Sequence, residues 1–380
     1  MRIALTAGSR GIANIAQILR TAADYVRAAG AEPVIVAAMG SHGGATVEGQ
    51  LTVLRSYGID EASVGAPILA GTETILVGRT EEGLEVYFDR IAARCDGVLV
   101  INRVKPHTTF TAPNESGLLK MVVVGLGKEK GATLFHSLGQ AELPRLLPEM
   151  AAISLAAMPI LGGIALVENG AEETAVVRGV HPAEFAAVDA ELLRLAQSLM
   201  LRLPSDQIDL LLVDLMGKNF SGTGMDTKII GRMRLDRVPE PERPAVRRIV
   251  VLGLSPESHG NANGLNLADV VTRRLVNSID FGASYANCVA TTFLQRVAIP
   301  VTMETERDAV AVAWRSLGSP APETLRMVRI RNTLHLEEVW VSPAILQEME
   351  SERPEVYTVL DGPAPLRFDP DGNLQEVIRT

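Results

Sequence analysis

The sequence predicts an α/β protein of two domains, each a parallel or mixed sheet flanked by helices, with an active site in the cleft between them. Three observations predict it. The chain has 380 residues, 47% of them hydrophobic, more than one core usually accommodates and ample for two. Short apolar runs at 3–7, 33–39, 97–102 and 164–167 read as strands buried on both faces. The first three run into polar loops, Gly8-Ser9-Arg10, Gly40-Ser41-His42 and Asn102 to His107, and the carboxyl ends of parallel strands are where such folds place ligands.

Between the first two runs, Ile15, Ile18, Leu19, Ala22 and Val26 recur at helical spacing, giving a strand-helix-strand unit. A second set begins after Leu203-Pro204-Ser205, where 208–215 and 248–254 read as strands and 267–276 as a helix. The expected division is therefore 1–204 and 205–380, the second domain closing the cleft. The proline-rich stretch 238–247 reads as a surface connection. The last thirty or so residues, rich in Pro, Asp and Gly, have no periodicity and are available to pack back on the first domain.

A formal charge of -9, without a basic run or basic-aromatic patch, argues against a nucleic-acid partner. Cys95 and Cys288 make no CxxC motif and no disulfide framework, so both are expected to be buried thiols in a reducing compartment. The start goes straight into the first strand with no signal-peptide pattern, and no apolar run reaches membrane-spanning length. A cytoplasmic protein without a membrane partner is the expectation.

Three of the six histidines, His42, His107 and His136, fall in the first 136 residues, on or just after these loops. Imidazole titrates near neutrality, so two of them facing one substrate could exchange a proton in either direction. His181, before Pro182 at a helix start, and His335, in an apparent strand, read as structural. Arg10 sits in a tight turn where a guanidinium can clasp a carboxylate through two parallel hydrogen bonds. Lys120 stands inside an otherwise apolar run, Gly117 to Val124, where a lysine snorkelling from a strand edge is the bland alternative. A lysine buried in such a run tends to be paired, deprotonated or covalently engaged.

The next segment, Gly125 to Gly131, offers backbone N–H groups to a phosphate, but its third glycine is one place late for a dinucleotide fingerprint and the Walker lysine-hydroxyl pair is missing. A second Gly-rich loop, Ser221 to Gly224, leads to Asp226 and Lys228.

The order and spacing of these residues resemble the nickel-pincer-nucleotide-dependent lactate racemase family over most of the chain. Arg10 matches a substrate-binding arginine, followed about thirty residues on by a Gly-x-His loop, Gly40-Ser41-His42. Pro106-His107 fits a second catalytic histidine. Ser116-Gly117-Leu118-Leu119-Lys120 fits the segment whose lysine joins the cofactor, and His136, sixteen residues later, fits the nickel ligand. Lys228 matches a lysine that meets the substrate carboxylate. The match has departures. The His107 to Lys120 interval is longer, Met225 replaces an expected glutamine, and His42-Gly43-Gly44 lacks an arginine beside the histidine. The chain also lacks a leading segment before its first strand, so its start is read as truncated. Small residues at 43 and 44, and the polar stretch Ser255 to Gly264, make an aldonate a rival to lactate as substrate.

The resemblance implies a racemase or epimerase that inverts C2 of a 2-hydroxyacid by hydride transfer to and from the pincer, a pyridinium-3-thioamide-5-thiocarboxylic acid mononucleotide holding nickel. His42 and His107 would be the acid/base pair, Arg10 and Lys228 the substrate-binding residues, His136 the metal ligand, and Lys120, Ser116 and Gly117 the cofactor-binding residues. The first domain would then be catalytic and cofactor-binding. Partners would be the small-molecule 2-hydroxyacid and the cofactor-biosynthesis enzymes. Two other readings stay open: an NAD-dependent 2-hydroxyacid dehydrogenase, and a non-catalytic module that binds the nucleotide cofactor.

Overall fold

A computed structural model describes residues 1–139, 141–236 and 238–375. The chain divides into two compact units, Met1–Met200 and Leu201–Thr380.

In the first unit, β1 (Arg2–Ala7), α1 (Ile15–Ala28), β2 (Glu32–Ala37), α2 (Val47–Ser56), α3 (Glu61–Val64) and β3 (Ile68–Leu69) form one winding of strands and helices. A hairpin of β4 (Thr74–Arg79) and β5 (Glu85–Asp89) leads through α4 (Arg90–Ala93) to β6 (Gly97–Arg103). Next come a single α-helical turn, α5 (Leu118–Lys120), a π-helical turn over Met121–Gly125, α6 (Lys128–Ser137) and α7 (Leu143–Ala157). β7 (Ile160–Glu168), β8 (Thr174–Val180) and α8 (Phe185–Leu199) complete the unit. The sheet runs β3-β2-β1-β6-β7-β8 and is parallel except for β8, which is antiparallel to β7.

The strands are continuously apolar because helices cover both faces. On one face Ile3, Leu5, Ile35 and Ala37 pack with Ile15, Leu19, Ala23 and Val26 of α1. On the other, Ala4, Val34, Val36, Val98 and Val100 pack with Leu118, Val122, Phe135, Leu147 and Val188. The period of two along each strand thus divides the residues between two apolar layers. Winding reverses between β1 and β6, so their carboxyl ends open onto the switch point where doubly wound folds bind ligands.

The second unit contains β9 (Gln207–Met216), β10 (Ala245–Leu254), β11 (Val270–Thr272), α9 (Arg273–Asn277), α10 (Phe281–Thr291), β12 (Val301–Met303), α11 (Glu306–Ser316), β13 (Met327–Ile330), β14 (Trp340–Val341) and α12 (Pro343–Glu352). Its sheet runs β12-β11-β10-β9-β13-β14, parallel apart from β14, with the reversal between β9 and β13. The expected α/β class, with mixed sheets flanked by helices, is the class observed. Both cysteines are buried free thiols. Among the described residues no helix is long and apolar enough to cross a membrane.

Two local expectations are corrected, and one alternative is set aside. Lys120 does not lie at a strand edge: the run around it is helical, and Leu118, Leu119, Met121, Val122 and Val123 are buried in the core on that face of the sheet. The helix expected over 267–276 is instead the short strand β11 followed by α9, because β11 is inserted into the sheet beside β10. His335 lies between β13 and β14, with its backbone N–H donating to Asn332 Oδ1 at 2.9 Å.

Candidate active site

The loop after β1 carries Ser9 and Arg10. It is held from two sides: Tyr57 donates to the Ser9 carbonyl at 3.3 Å, and Ala13 N–H donates to Glu168 Oε1 at 2.6 Å, while the other oxygen of Glu168 pairs with Arg103. Arg10 is reachable by solvent. Enough protein surrounds it that desolvation still lowers its guanidinium from the ordinary value, with the Tyr57 phenol acting in the opposite sense.

His42 follows β2, and its Nδ1 is hydrogen-bonded to Ser9 Oγ, which ties the ends of β1 and β2 together. Gly43 and Gly44 both have left-handed backbones, φ 67° and 62°, in the turn that leads to α2. A Cβ on Gly43 would sit 2.6 Å from the Gly49 carbonyl carbon. Backbone geometry therefore accounts for these two glycines without reference to the width of a site.

His107 is half-buried in the loop after β6, its ring against Phe110 with centroids 4.5 Å apart. Glu115, 2% exposed, organises this loop by accepting the His107 N–H at 2.6 Å and the Ala112 N–H at 3.1 Å. His107 Nδ1 accepts the Thr109 backbone N–H at 3.3 Å and lies 3.0 Å from Thr109 Oγ1.

The loop returns through Ser116, whose carbonyl accepts the Lys105 N–H at 3.0 Å, to Gly117, whose carbonyl accepts from Asn102 Nδ2 at 2.7 Å. Here Asp189, buried in α8, directs both carboxylate oxygens at the start of α5, accepting the N–H groups of Leu118 at 3.0 Å and Leu119 at 2.9 Å. A Cβ at Gly117 would lie 2.5 Å from that carboxylate, so only glycine lets it approach. Burial raises Asp189 to about 6, against the lowering effect of its two N–H donors.

The turn so capped carries Lys120. Desolvation, then repulsion from Lys105 and Arg10, lowers its amine to about 7, opposed by Glu115. His136, near the end of α6, is lowered to about 4 by desolvation and then by the charge of Lys120. Arg10, Lys105, Glu115, Lys120 and His136 are thus electrostatic neighbours. The Ser9 hydrogen bond joins His42 to this group, and Glu115 joins His107 to it. Both Lys120 and His136 are driven towards their neutral forms, in which nitrogen lone pairs are available. Among the described residues no three His, Cys, Asp or Glu side chains converge to hold a metal ion on their own.

In the segment 125–131 two backbone N–H groups are engaged within the chain. Leu126 N–H already donates to Met121 O, and Gly131 N–H to Gly127 O, both at 2.8 Å, within buried helical turns. Lys228 lies in the second unit, after β9. Its N–H donates to Asp226 Oδ1, and the Asp226 N–H donates to Thr333 Oγ1, both at 2.9 Å.

Sequence reasoning missed Ser9, Thr109, Glu115 and Asp189. Only Asp189 left a signal, an acid on the apolar stripe of α8 beside Val188, Leu192 and Leu193. The others depend on loop geometry.

No family model and no curated protein sequence matches this chain. Among solved structures it is similar to the lactate racemase apoprotein from Thermoanaerobacterium thermosaccharolyticum, with a TM-score of 0.55 and 10% sequence identity, over 88% of this chain and 85% of that one. At that identity what the two proteins share is the fold.

Proposed function

We propose that this chain is a cytoplasmic racemase or epimerase that inverts C2 of a 2-hydroxyacid, a distant member of the lactate racemase family working with a nickel-pincer nucleotide. The observation that carries the reading is the pairing of Lys120 with His136. The resemblance assigns them as attachment point and metal ligand, and they are electrostatic neighbours in each of which burial disfavours the charged form.

The residues fit the group. An amine lowered to about 7 has a substantial nucleophilic fraction at neutral pH, as covalent attachment requires. A neutral imidazole is a suitable nickel ligand, and a group bringing its own sulfur donors removes the need for further protein ligands. When bound, the group supplies the hydride acceptor and donor that no unmodified side chain offers. His42 and His107 take the proton from the substrate hydroxyl and return it. Arg10 clasps the carboxylate bidentately and holds the substrate while either face of C2 is presented. Ser116 and Gly117 border the attachment turn and are assigned to cofactor contact. Lys228 is assigned to substrate binding on the resemblance. Lactate and aldonates are the substrates to try first.

The test is full-length protein produced together with the cofactor-building enzymes, measured for mass, nickel and interconversion of enantiomers. An added mass on the Lys120 peptide, lost in Lys120→Ala, is expected, as is loss of nickel with retained fold in His136→Ala. An unmodified Lys120 in nickel-containing, active protein contradicts the attachment. Net oxidation on adding NAD, without inversion, would favour a dehydrogenase.

A further inference from the structure

In the second unit the short 3-10 turn Leu294–Val297 is wound against the rule that charge faces water and apolar side chains face inward. Arg296 is 0% exposed, whereas Leu294 and, just beyond the turn, Ile299 are 65% and 47% exposed. Among the described residues none of the three guanidinium nitrogens of Arg296 has a hydrogen-bond partner. Burial lowers Arg296 only to about 10, so it stays protonated at neutral pH. A guanidinium carries five N–H donors and a full charge, and enclosing it without acceptors is costly. Natural chains break local rules of this kind at functional positions.

The neighbouring side chains do not offset the charge. Arg296 feels the carboxylate of Glu240, but that carboxylate already accepts the Met233 N–H at 2.6 Å and the Arg234 N–H at 2.8 Å. Asp269 is shared by Arg232, at 2.8 Å, and Arg234. Arg232, Arg234 and Arg296 thus stand against Asp269 and Glu240, one positive charge in excess.

The turn is tied to the segment after β10. The Arg296 carbonyl accepts the Gly264 N–H at 2.8 Å, and a Cβ on Gly264 would run into the Thr223 carbonyl. On either side of Gly264, Asn263 and Asn266 each bury an Oδ1 that accepts nothing. An amide oxygen cannot supply a missing negative charge.

We propose that Arg296 holds one small monovalent anion, of halide or formate size, beneath the turn Leu294–Val297. A single negative charge balances the cluster, and the N–H groups of the guanidinium are the donors it needs. The complete enclosure of the guanidinium selects against anything bulkier. Through Gly264 and Thr223 the bound anion braces the Gly-rich loop Ser221 to Gly224. The proposal concerns the second unit alone and is independent of the racemase reading.

The test is thermal unfolding of the full chain without cofactor, wild type and Arg296→Met, across a series of sodium bromide concentrations, with sodium gluconate, too large for the site, keeping the ionic strength constant. The variant removes the cation and keeps an apolar chain. Relative to the variant, the wild-type Tm should rise by roughly 3–5 °C for each tenfold increase in bromide above its dissociation constant. Equal responses of the two proteins overturn the proposal. Sodium formate in place of bromide separates the two sources: a response to bromide alone assigns a halide site, and a response to both assigns one that also takes a small carboxylate. Should Arg296→Met fail to fold, wild-type crystals grown in bromide decide the matter. Anomalous scattering beside the Arg296 guanidinium is expected, and ordered water alone at that position overturns the proposal.

Discussion

Lys120 and Lys128 stand eight positions apart and answer desolvation differently. Lys128, 1% exposed, is matched on three sides, donating to the Ala37 carbonyl at 2.6 Å and Gln50 Oε1 at 3.0 Å and facing Asp89 Oδ2 at 3.2 Å. Burial lowers it and Asp89 pulls it back up. Lys120 faces Lys105 and Arg10 as well as Glu115, and settles at about 7. The difference separates a structural ion pair from an amine prepared for reaction. Amine-reactive labelling of the cofactor-free protein should therefore modify Lys120 with a midpoint near pH 7, its neutral fraction rising above that value. Surface lysines should follow with midpoints near their ordinary value of about 10.4. Peptide mapping across pH reads this directly, and a Lys120 midpoint at the surface value would contradict the desolvated environment. Removing Lys128 has a different result. Lys128→Ala leaves Asp89 charged and buried, which costs about 3–5 kcal/mol of stability for a broken buried pair, measurable by denaturant unfolding.

At the scale of elements, the attachment turn is positioned by a neighbouring helix. Asp189 of α8 accepts two N–H groups of α5, and among the described residues its carboxylate makes no ion pair, so its burial serves this capping task. In Asp189→Asn the amide oxygen accepts one N–H while the amide nitrogen opposes the other. A loss of about 1–3 kcal/mol is expected for the unsatisfied buried group, again by denaturant unfolding, and wild-type stability in that variant would rule the cap out as a determinant.

What the sequence disclosed follows the same physics. The strands β1, β2, β6, β9 and β10 were legible because burial on both faces makes them unbroken apolar runs. The turns around Lys120 were not, because Leu118 to Val124 is apolar at every position but Lys120 and so shows no helical period. β11 has three residues, too few to display any period, so it merged with the helix after it. His42, His107, Lys120 and His136 could be nominated from order and spacing, whereas the partners that tune them, Ser9, Thr109 and Glu115, are set by loop conformations that no local pattern encodes.

Across the whole molecule the buried groups of the site make stability depend on pH, and their signs differ. For Lys120 the folded value, about 7, lies below the ordinary 10.5, so between them the unfolded chain binds the proton that the native chain has released, and stability rises with pH through that window. His136 behaves alike between about 4 and 6.5, its contribution being lost as the pH falls through that range. Asp189 runs the other way. Raised from 3.8 to about 6, it retains a proton that the unfolded chain gives up, and its contribution declines as pH rises between those values. Replacing the buried cation with an apolar chain of similar length isolates the first effect. Lys120→Met should raise the Tm of the cofactor-free protein at pH 6, and the gain should shrink by pH 9. A gain that is independent of pH would assign it to packing instead.

The arrangement of the two sheets also bears on how the protein is made. No strand of one sheet belongs to the other, and the sheet that carries Arg10, His42 and His107 at its edge loops has all its strands by Val180. Domains generally fold as units during synthesis, amino-terminal first. The first sheet can therefore close while the ribosome is still adding the second, and the helical turn bearing Lys120 and the loops bearing the paired imidazoles take shape before the second sheet exists.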